Sequence, residues 1–309
     1  MKQHMLLVAI VVALLVLLPT ISVAETISAY LEGVSGSVDT WTGAAGEGWL
    51  GPWGTKKDTT ATGLACALTN TSPLLADTNN YVKVDMDASA ANSYGTIGRR
   101  YDRSSTGPAM DKIDVTQDYT ISFLYRIDEE LGAETTFYSS SVDRYQLYQS
   151  TGTALGSGSG TNSNWVISSF GGTNTAGYAG GGGATIPAGN WIFDEYKWNG
   201  TAYVAYKWDT GINATTVGDG TYAVQVTVHP DYTWDATISA GTASYTQTGM
   251  GFRNRALTGG YVEFLGRSSG SDDLRQFSVD SLVVVQVPEP STLVLLLVGL
   301  SGLAAVRRK

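Results

Sequence analysis

Tyr119-Thr120-Ile121-Ser122-Phe123-Leu124-Tyr125-Arg126-Ile127 decides how this chain is read. Tyr119, Ile121, Phe123, Tyr125 and Ile127 share one face of an extended strand, while Thr120, Ser122 and Arg126 share the other with Leu124. Successive strand side chains point to opposite faces, so this alternation describes a strand with one face in a core and one in water. Tyr222, Val224, Val226 and Val228 alternate in the same way with Ala223, Gln225, Thr227 and His229. A turn through Pro230-Asp231 leads to residues 232–239, and the two segments are expected to pair as a hairpin. Residues 191–198 and 201–208 flank Asn199-Gly200, the dipeptide best suited to the positive φ angles of a two-residue type I′ turn. They predict a second hairpin. Residues 81–86, 136–148, 165–170, 261–265 and 277–287 supply further strands, about ten in all, enough for two packed sheets.

Composition agrees. Among 309 residues there are 37 glycines, 17 tyrosines and 8 tryptophans but only 15% charged residues, a balance that suits strands and turns and leaves little from which to build soluble helices. The glycine-rich runs at 156–160 and 180–183 are expected in exposed loops, since no lysine or amphipathic helix follows to complete a phosphate cradle. The formal charge is -9, and losing four positive charges (Lys2, Arg307, Arg308, Lys309) and one negative (Glu289) makes it -12 over residues 25–287. So acidic a domain, with no basic stripe, argues against nucleic acid as a partner. Cys66 is the single cysteine, so no internal disulfide can form and a buried, inert thiol is expected.

The two ends are apolar. Lys2, the uncharged run 5–18, Pro19 and then Ser22-Val23-Ala24 have the three-part layout of a signal peptide over 1–24, with cleavage predicted after Ala24. The run is too short for the ~20 residues that a relaxed membrane crossing needs. At the other end, Pro288-Glu289-Pro290 is followed by an uncharged apolar stretch, 293–306, and by Arg307-Arg308-Lys309. The prolines forbid regular strand or helix at the motif, and the basic end would stay on the cytoplasmic side, so residues 25–287 would face outward.

This tail, 288–309, resembles the PEP-CTERM sorting signal, in which a Pro-Glu-Pro motif, a short transmembrane helix and a basic end are recognised by an exosortase. Pro288, Glu289 and Pro290 match the motif, and Arg307, Arg308 and Lys309 match the basic end. The resemblance implies export by the Sec machinery, a transient inner-membrane anchor and cleavage near the motif. The destination it implies is the cell envelope, the outer surface or the extracellular space. A plain C-terminal anchor is the alternative.

Between the ends, Ala45-Gly46-Glu47-Gly48-Trp49-Leu50-Gly51-Pro52-Trp53 resembles the Gly-Trp-x-x-x-Trp opening of laminin-G-like, concanavalin A-like domains of bacterial surface proteins. Tyr119-Thr120-Ile121-Ser122-Phe123-Leu124-Tyr125-Arg126 is similar to their core strand, and Phe277-Ser278-Val279-Asp280-Ser281-Leu282-Val283-Val284 to their final one. The resemblance implies an all-β, antiparallel jelly-roll sandwich over 25–287, a fold whose function lies in its variable loops.

The inventory of reactive groups is short. After signal removal His229 is the single histidine, so a Ser-His-Asp triad would have to use it, and just before Pro230 at the end of an alternating strand it is expected as a solvent-facing turn residue. One His and one Cys exclude a zinc site built from those residues. The Glu-x-Asp-x-x-Glu strand of some sandwich glycosidases is missing, since Asp128-Glu129-Glu130 with Glu134, and Asp194-Glu195, have other spacings. Asp85, Asp87, Asp272 and Asp273 are the candidates for a calcium site. Trp165, beside the glycine-rich loop, is the candidate for an exposed ring that stacks on a sugar.

The function expected is therefore that of an exported, non-catalytic structural or binding module associated with exopolysaccharide, as in a biofilm matrix. The alternative is a polysaccharide-acting glycoside hydrolase or lyase on the same scaffold. Carboxylates facing each other about 5–9 Å apart in a concave groove would favour the enzyme. Replacing Pro288-Glu289-Pro290 by three alanines should abolish C-terminal processing, read as an intact mass that keeps the tail, while residues 25–287 stay folded. Normal processing of that variant would refute the motif.

Overall fold

The computed structural model describes residues 25–29 and 49–286, apart from 59–60, 73, 75–79, 89–92, 105–111, 130, 132–142, 153, 156–161, 176, 179–182, 199–200, 215–219, 257–259 and 269–273. The expected signal and tail helices lie outside those residues. Within them there is no helix. The strands are β1 (Glu25–Ala29), β2 (Gly54–Lys57), β3 (Ala61–Thr69), β4 (Tyr81–Ala88), β5 (Tyr94–Arg100), β6 (Arg103–Ser104), β7 (Ile113–Asp114), β8 (Tyr119–Ile127), β9 (Arg144–Ser150) and β10 (Ser163–Phe170). They continue as β11 (Asn174–Thr175), β12 (Gly177–Tyr178), β13 (Thr185–Ile186), β14 (Asn190–Trp198), β15 (Tyr203–Asn213), β16 (Tyr222–Val228), β17 (Thr233–Ala240), β18 (Ala243–Gly251), β19 (Tyr261–Arg267) and β20 (Leu274–Gln286).

Two antiparallel sheets form the sandwich. The first runs β18-β17-β16-β8-β20-β4-β3, with β1 beside β20, and the second runs β12-β15-β14-β10-β9-β19-β5-β2. Two-residue ladders, β6 with β7 and β11 with β13, complete the pairing. As the alternation requires, Tyr119, Ile121, Phe123, Tyr125 and Ile127 are buried and the residues between them are partly exposed. The expected hairpin of β16 and β17 is present, with Val228 opposite Trp234.

Aromatic rings join the sheets. Tyr125 on β8 lies 5.8 Å from Trp191, 6.2 Å from Phe264, 6.3 Å from Tyr145 and 5.5 Å from Phe277, measured between ring centroids. Trp234 of the first sheet meets Trp165 and Phe193 of the second at 6.2 and 6.0 Å. Each such ring removes roughly 150–250 Å² from water, so this belt is the main stabilising contact of a domain that has no disulfide. Trp49 and Trp53 of the opening motif are buried in the same core, with the Arg99 guanidinium 4.6 Å from the centre of the Trp49 ring.

The β14–β15 hairpin departs from the expected register. A two-residue Asn199-Gly200 turn needs Trp198 opposite Thr201, but Trp198 pairs with Tyr203, so four residues separate the last paired positions. Asn199 and Gly200 themselves lie outside the described residues. Shifting a register by two keeps every side chain on its face, so the hydrophobic pattern cannot choose between the two turns. Cross-strand partners choose instead: Phe193 lies opposite Trp208, whose indole N–H donates to Glu195 Oε2 at 2.8 Å.

β20 holds the first sheet together, bonded to β8 on one side and, on the other, to β4 as far as Val279 and to β1 from Leu282. A bulge at Ser281, where φ is +51°, separates the two stretches. The extra residue moves the core positions from Phe277 and Val279 to Leu282 and Val284. Glu25 ends opposite Gln286, whose side-chain amide donates to Asp114 O at 2.7 Å and whose carbonyl accepts from Asp114 N at 2.8 Å.

His229, expected as a solvent-facing turn residue, is a staple between strands. Its Nδ1 lies 3.0 Å from Asp118 Oδ1, just before β8, and its Nε2 lies 3.3 Å from Asp235 Oδ2 on β17. Burial opposes the charged ring, but hydrogen bonds and charge from Asp118 and then Asp235 outweigh it and raise the pKa above 6.5.

Two expectations follow from these contacts. The Tyr125 hydroxyl is buried without a hydrogen-bond partner among the described residues, whereas the Tyr145 hydroxyl lies 2.7 Å from Glu129 O and 3.1 Å from Gln276 O. Tyr125→Phe should therefore leave the unfolding free energy unchanged or raised, and Tyr145→Phe should lower it by about 1 kcal/mol; a clear loss in Tyr125→Phe would show that its hydroxyl is satisfied in solution. Because the folded pKa of His229 is raised, its contribution is complete below the unfolded value and is lost as pH rises through the folded one. Thermal scans from about pH 6 to about pH 8 should show a declining midpoint in the native chain and a flatter profile in His229→Gln. Parallel profiles would remove the staple.

Candidate functional site

The β14–β15 hairpin leaves the sandwich as it approaches its tip. Residues 190–195 are buried, Tyr196 is half-buried, and Lys197 and Trp198 are exposed. Trp198 is 57% exposed, whereas Trp49, Trp53, Trp165, Trp191 and Trp234 are each 3% or less. A protein that buries five indoles yet leaves one in water at the end of a hairpin offers a flat apolar face with a polar N–H edge.

The hairpin is held firmly. A Cβ on Gly251, at the end of β18, would collide with the Tyr196 carbonyl, so glycine permits the close approach of β18 to β14. The Arg253 guanidinium lies 5.2 Å from the centre of the Tyr196 ring. Tyr196 and Trp198 share one face of the hairpin, and on the other Tyr206 and Trp208 lie 4.5 Å apart at the ring centroids. Both oxygens of Glu195 are engaged, Oε2 by the Trp208 indole and Oε1 by Lys197 Nζ, each at 2.8 Å. The result is a rigid aromatic platform beside a neutralised carboxylate. It is suited to stacking on a ring ligand.

Trp165 is not such a platform, which corrects the sequence reading. It is fully buried on β10, between β9 and β14, with its ring packed toward Trp234. Its neighbourhood in sequence to a glycine-rich loop says nothing of its place at the middle of a sheet. Trp198 was missed for the converse reason, since its strand alternates like a core strand. The one available signal was its position beside the Asn199-Gly200 turn.

Asp194 and Glu195 are adjacent on one strand and so point to opposite faces, which prevents them from acting on one bond. Asp128 bonds Arg126 Nε through Oδ1 at 2.6 Å and accepts the Ser278 hydroxyl through Oδ2. Asp85 and Asp87 share a face of β4, where Asp85 lies 3.6 Å from Lys83, while Asp272 and Asp273 lie outside the described residues. Among the described residues no three His, Cys, Asp or Glu side chains gather as metal ligands. Cys66 is buried, as expected, and both nitrogens of His229 are occupied by aspartates.

A buried polar cluster lies on the outward face of the second sheet. There the Tyr148 hydroxyl donates to Glu263 Oε2 at 2.8 Å and Gln146 Nε2 donates to Ser168 Oγ at 3.1 Å. These four residues are 2% exposed or less.

Residues 286–309 match the PEP-CTERM protein-sorting motif. That segment contains Pro288, Glu289, Pro290, Arg307, Arg308 and Lys309, and it marks an exported protein, anchored transiently at the membrane and processed by an exosortase-type system. No curated protein sequence matches the chain. Among solved structures it is similar to a protein of unknown function from Shewanella oneidensis MR-1, at 12% identity over 89% of this chain and 91% of that one, with a TM-score of 0.45. It is also similar to an endo-β-1,4-glucuronan lyase from the fungus Trichoderma reesei, at 11% identity over 76% and 94%, with a TM-score of 0.39. A third likeness is to an alginate lyase in complex with an alginate trisaccharide, at 12% identity over 85% and 99%, with a TM-score of 0.38. At these values the likeness carries no reading of activity. The chain is an exported all-β sandwich protein that ends in a PEP-CTERM protein-sorting motif.

Proposed function

We propose that the mature domain is a non-catalytic polysaccharide-binding module, delivered to the cell envelope or the surrounding matrix after its sorting tail is processed. The observation that carries this reading is Trp198, the exposed indole on a hairpin that is packed against β18 and capped by Arg253. Sugar rings present apolar C–H faces to aromatic side chains and hydroxyls to polar groups, and Trp198 supplies both kinds of partner in its flat ring and the N–H on its edge. Asp194 and Glu195, on opposite faces of one strand, do not form a facing pair, which supports binding without hydrolysis by the usual two-carboxylate route.

A second reading, a polysaccharide-cleaving enzyme, is favoured by one observation: Tyr148, Glu263, Gln146 and Ser168 cluster on the outward face of the second sheet. The two readings part on one assay. Retention of the purified domain in gels containing polysaccharides from the producing cells should be lost in Trp198→Ala with its melting temperature unchanged. Incubation with the same polysaccharides should release no new reducing ends or unsaturated sugars. Retention that survives Trp198→Ala would refute the hairpin site, and product release abolished by Tyr148→Phe would establish the enzyme.

A further inference from the structure

A recess of about 350 Å³ opens on the first sheet, lined by Thr69, Thr71, Ser72, Tyr81, Lys83, Arg126 and Asp128. It forms where β3 ends and the chain turns through Thr71 and Ser72 on its way to β4, beside the end of β8. Arg126 is its fixed element. The guanidinium donates from Nε to Asp128 Oδ1 and from Nη1 to Ser72 O, each at 2.6 Å, and from Nη2 to Tyr81 OH at 3.2 Å and Ser278 Oγ at 3.5 Å. A guanidinium has five N–H donors, so one on Nη1 has no partner among the described residues. Lys83, whose side chain is 33% exposed, adds an ammonium that is only loosely held, 3.6 Å from Asp85.

Charge selects the ligand. Asp128 already spends one oxygen on Arg126 and the other on Ser278, so it balances the guanidinium, while Asp85, the partner of Lys83 at 3.6 Å, stands outside the lining; the lining itself carries two cations and one anion, an excess of one positive charge on a domain whose formal charge is -12. A neutral sugar has no use for such an excess. A single carboxylate does: it can accept from the spare Arg126 N–H and from Lys83 together, a charge-assisted pair of bonds in a partly buried place. The Thr69 and Thr71 hydroxyls, 3.0 Å from each other, lie within the same wall to meet ring hydroxyls. We propose that this recess binds the carboxylate of a uronic acid residue, so that the module prefers acidic polysaccharide. The proposal rests on the polysaccharide-binding reading but uses a different sheet from the Trp198 hairpin.

The probes are a galacturonate trimer and its methyl ester, which differ in charge and by one methyl group at each carboxyl, titrated into the full exported domain by calorimetry. The acid should bind about tenfold more tightly than the ester, as a charged hydrogen bond requires, and added salt should weaken the acid alone. Lys83→Met, and independently Thr71→Val, should reduce that binding without altering the melting temperature, Lys83→Met by erasing the acid-over-ester preference. Equal binding of acid and ester, an undiminished preference in Lys83→Met, or a sulfated trimer that competes as well as the galacturonate would each overturn the proposal. If the recess fails in this way while retention in polysaccharide gels still depends on Trp198, the binding-module reading stands without it. If retention is independent of Trp198 while the galacturonate preference holds, the hairpin falls and the recess stands.

Discussion

The contact between the two sheets at Tyr125 is the constraint on which the rest of this structure depends. Its ring lies almost parallel to those of Phe264 and Phe277, with interplanar angles of 13° and 26°, and edge-on to Trp191 and Tyr145 at 82° and 67°. Offset-stacked and edge-on pairs are the favourable arrangements for ring quadrupoles, so this cluster fixes the relative setting of β8 and β20 on one sheet against β9, β14 and β19 on the other. A buried hydroxyl without a partner is the cost of placing tyrosine there. The cluster matters the more because Cys66 stands alone and packing must supply what disulfides supply in smaller exported domains.

That core determines what is left for recognition. Large aromatic side chains are consumed by the interior, and the strand alternation that sends them there sends Thr, Ser, Lys and Asp outward on the first sheet. Among the described residues two features stand out at the surface, the exposed indole at the hairpin tip and the recess around Arg126 and Lys83. Both are held by neighbours from distant parts of the chain. Gly251 and Arg253 brace the hairpin, and Ser72, Tyr81 and Ser278 fix the guanidinium.

The pairing of β1 with the last residues of β20 links the fold to export. Glu25, the first residue after the predicted signal cleavage, lies opposite Gln286, where the sorting motif begins. One edge of the sandwich thus carries both points at which the chain is expected to be cut. The bulge at Ser281 makes this possible, because it ends the pairing with β4 and opens the flank of β20 to β1.

By itself the sequence determined the all-β class, the strands with clean alternation such as β8 and β16, and the sorting tail, because each of these is a local pattern of residue types. β3, β5 and β18 were not legible. Ala61–Thr69 is alanine-rich, Tyr94–Arg100 carries two glycines and two arginines, and Ala243–Gly251 is an edge strand that is polar on both faces, so their strand character comes from neighbours rather than from propensity. Tertiary structure alone decided the hairpin register, since a shift of two residues leaves the pattern unchanged, and the side change within β20, since a bulge adds a residue without a mark in the sequence. It alone decided which tryptophan meets water. Trp165 and Trp198 lie on neighbouring strands of one sheet, and they differ in that Trp165 sits where its strand is buried throughout while Trp198 is the last residue of a strand whose end is exposed.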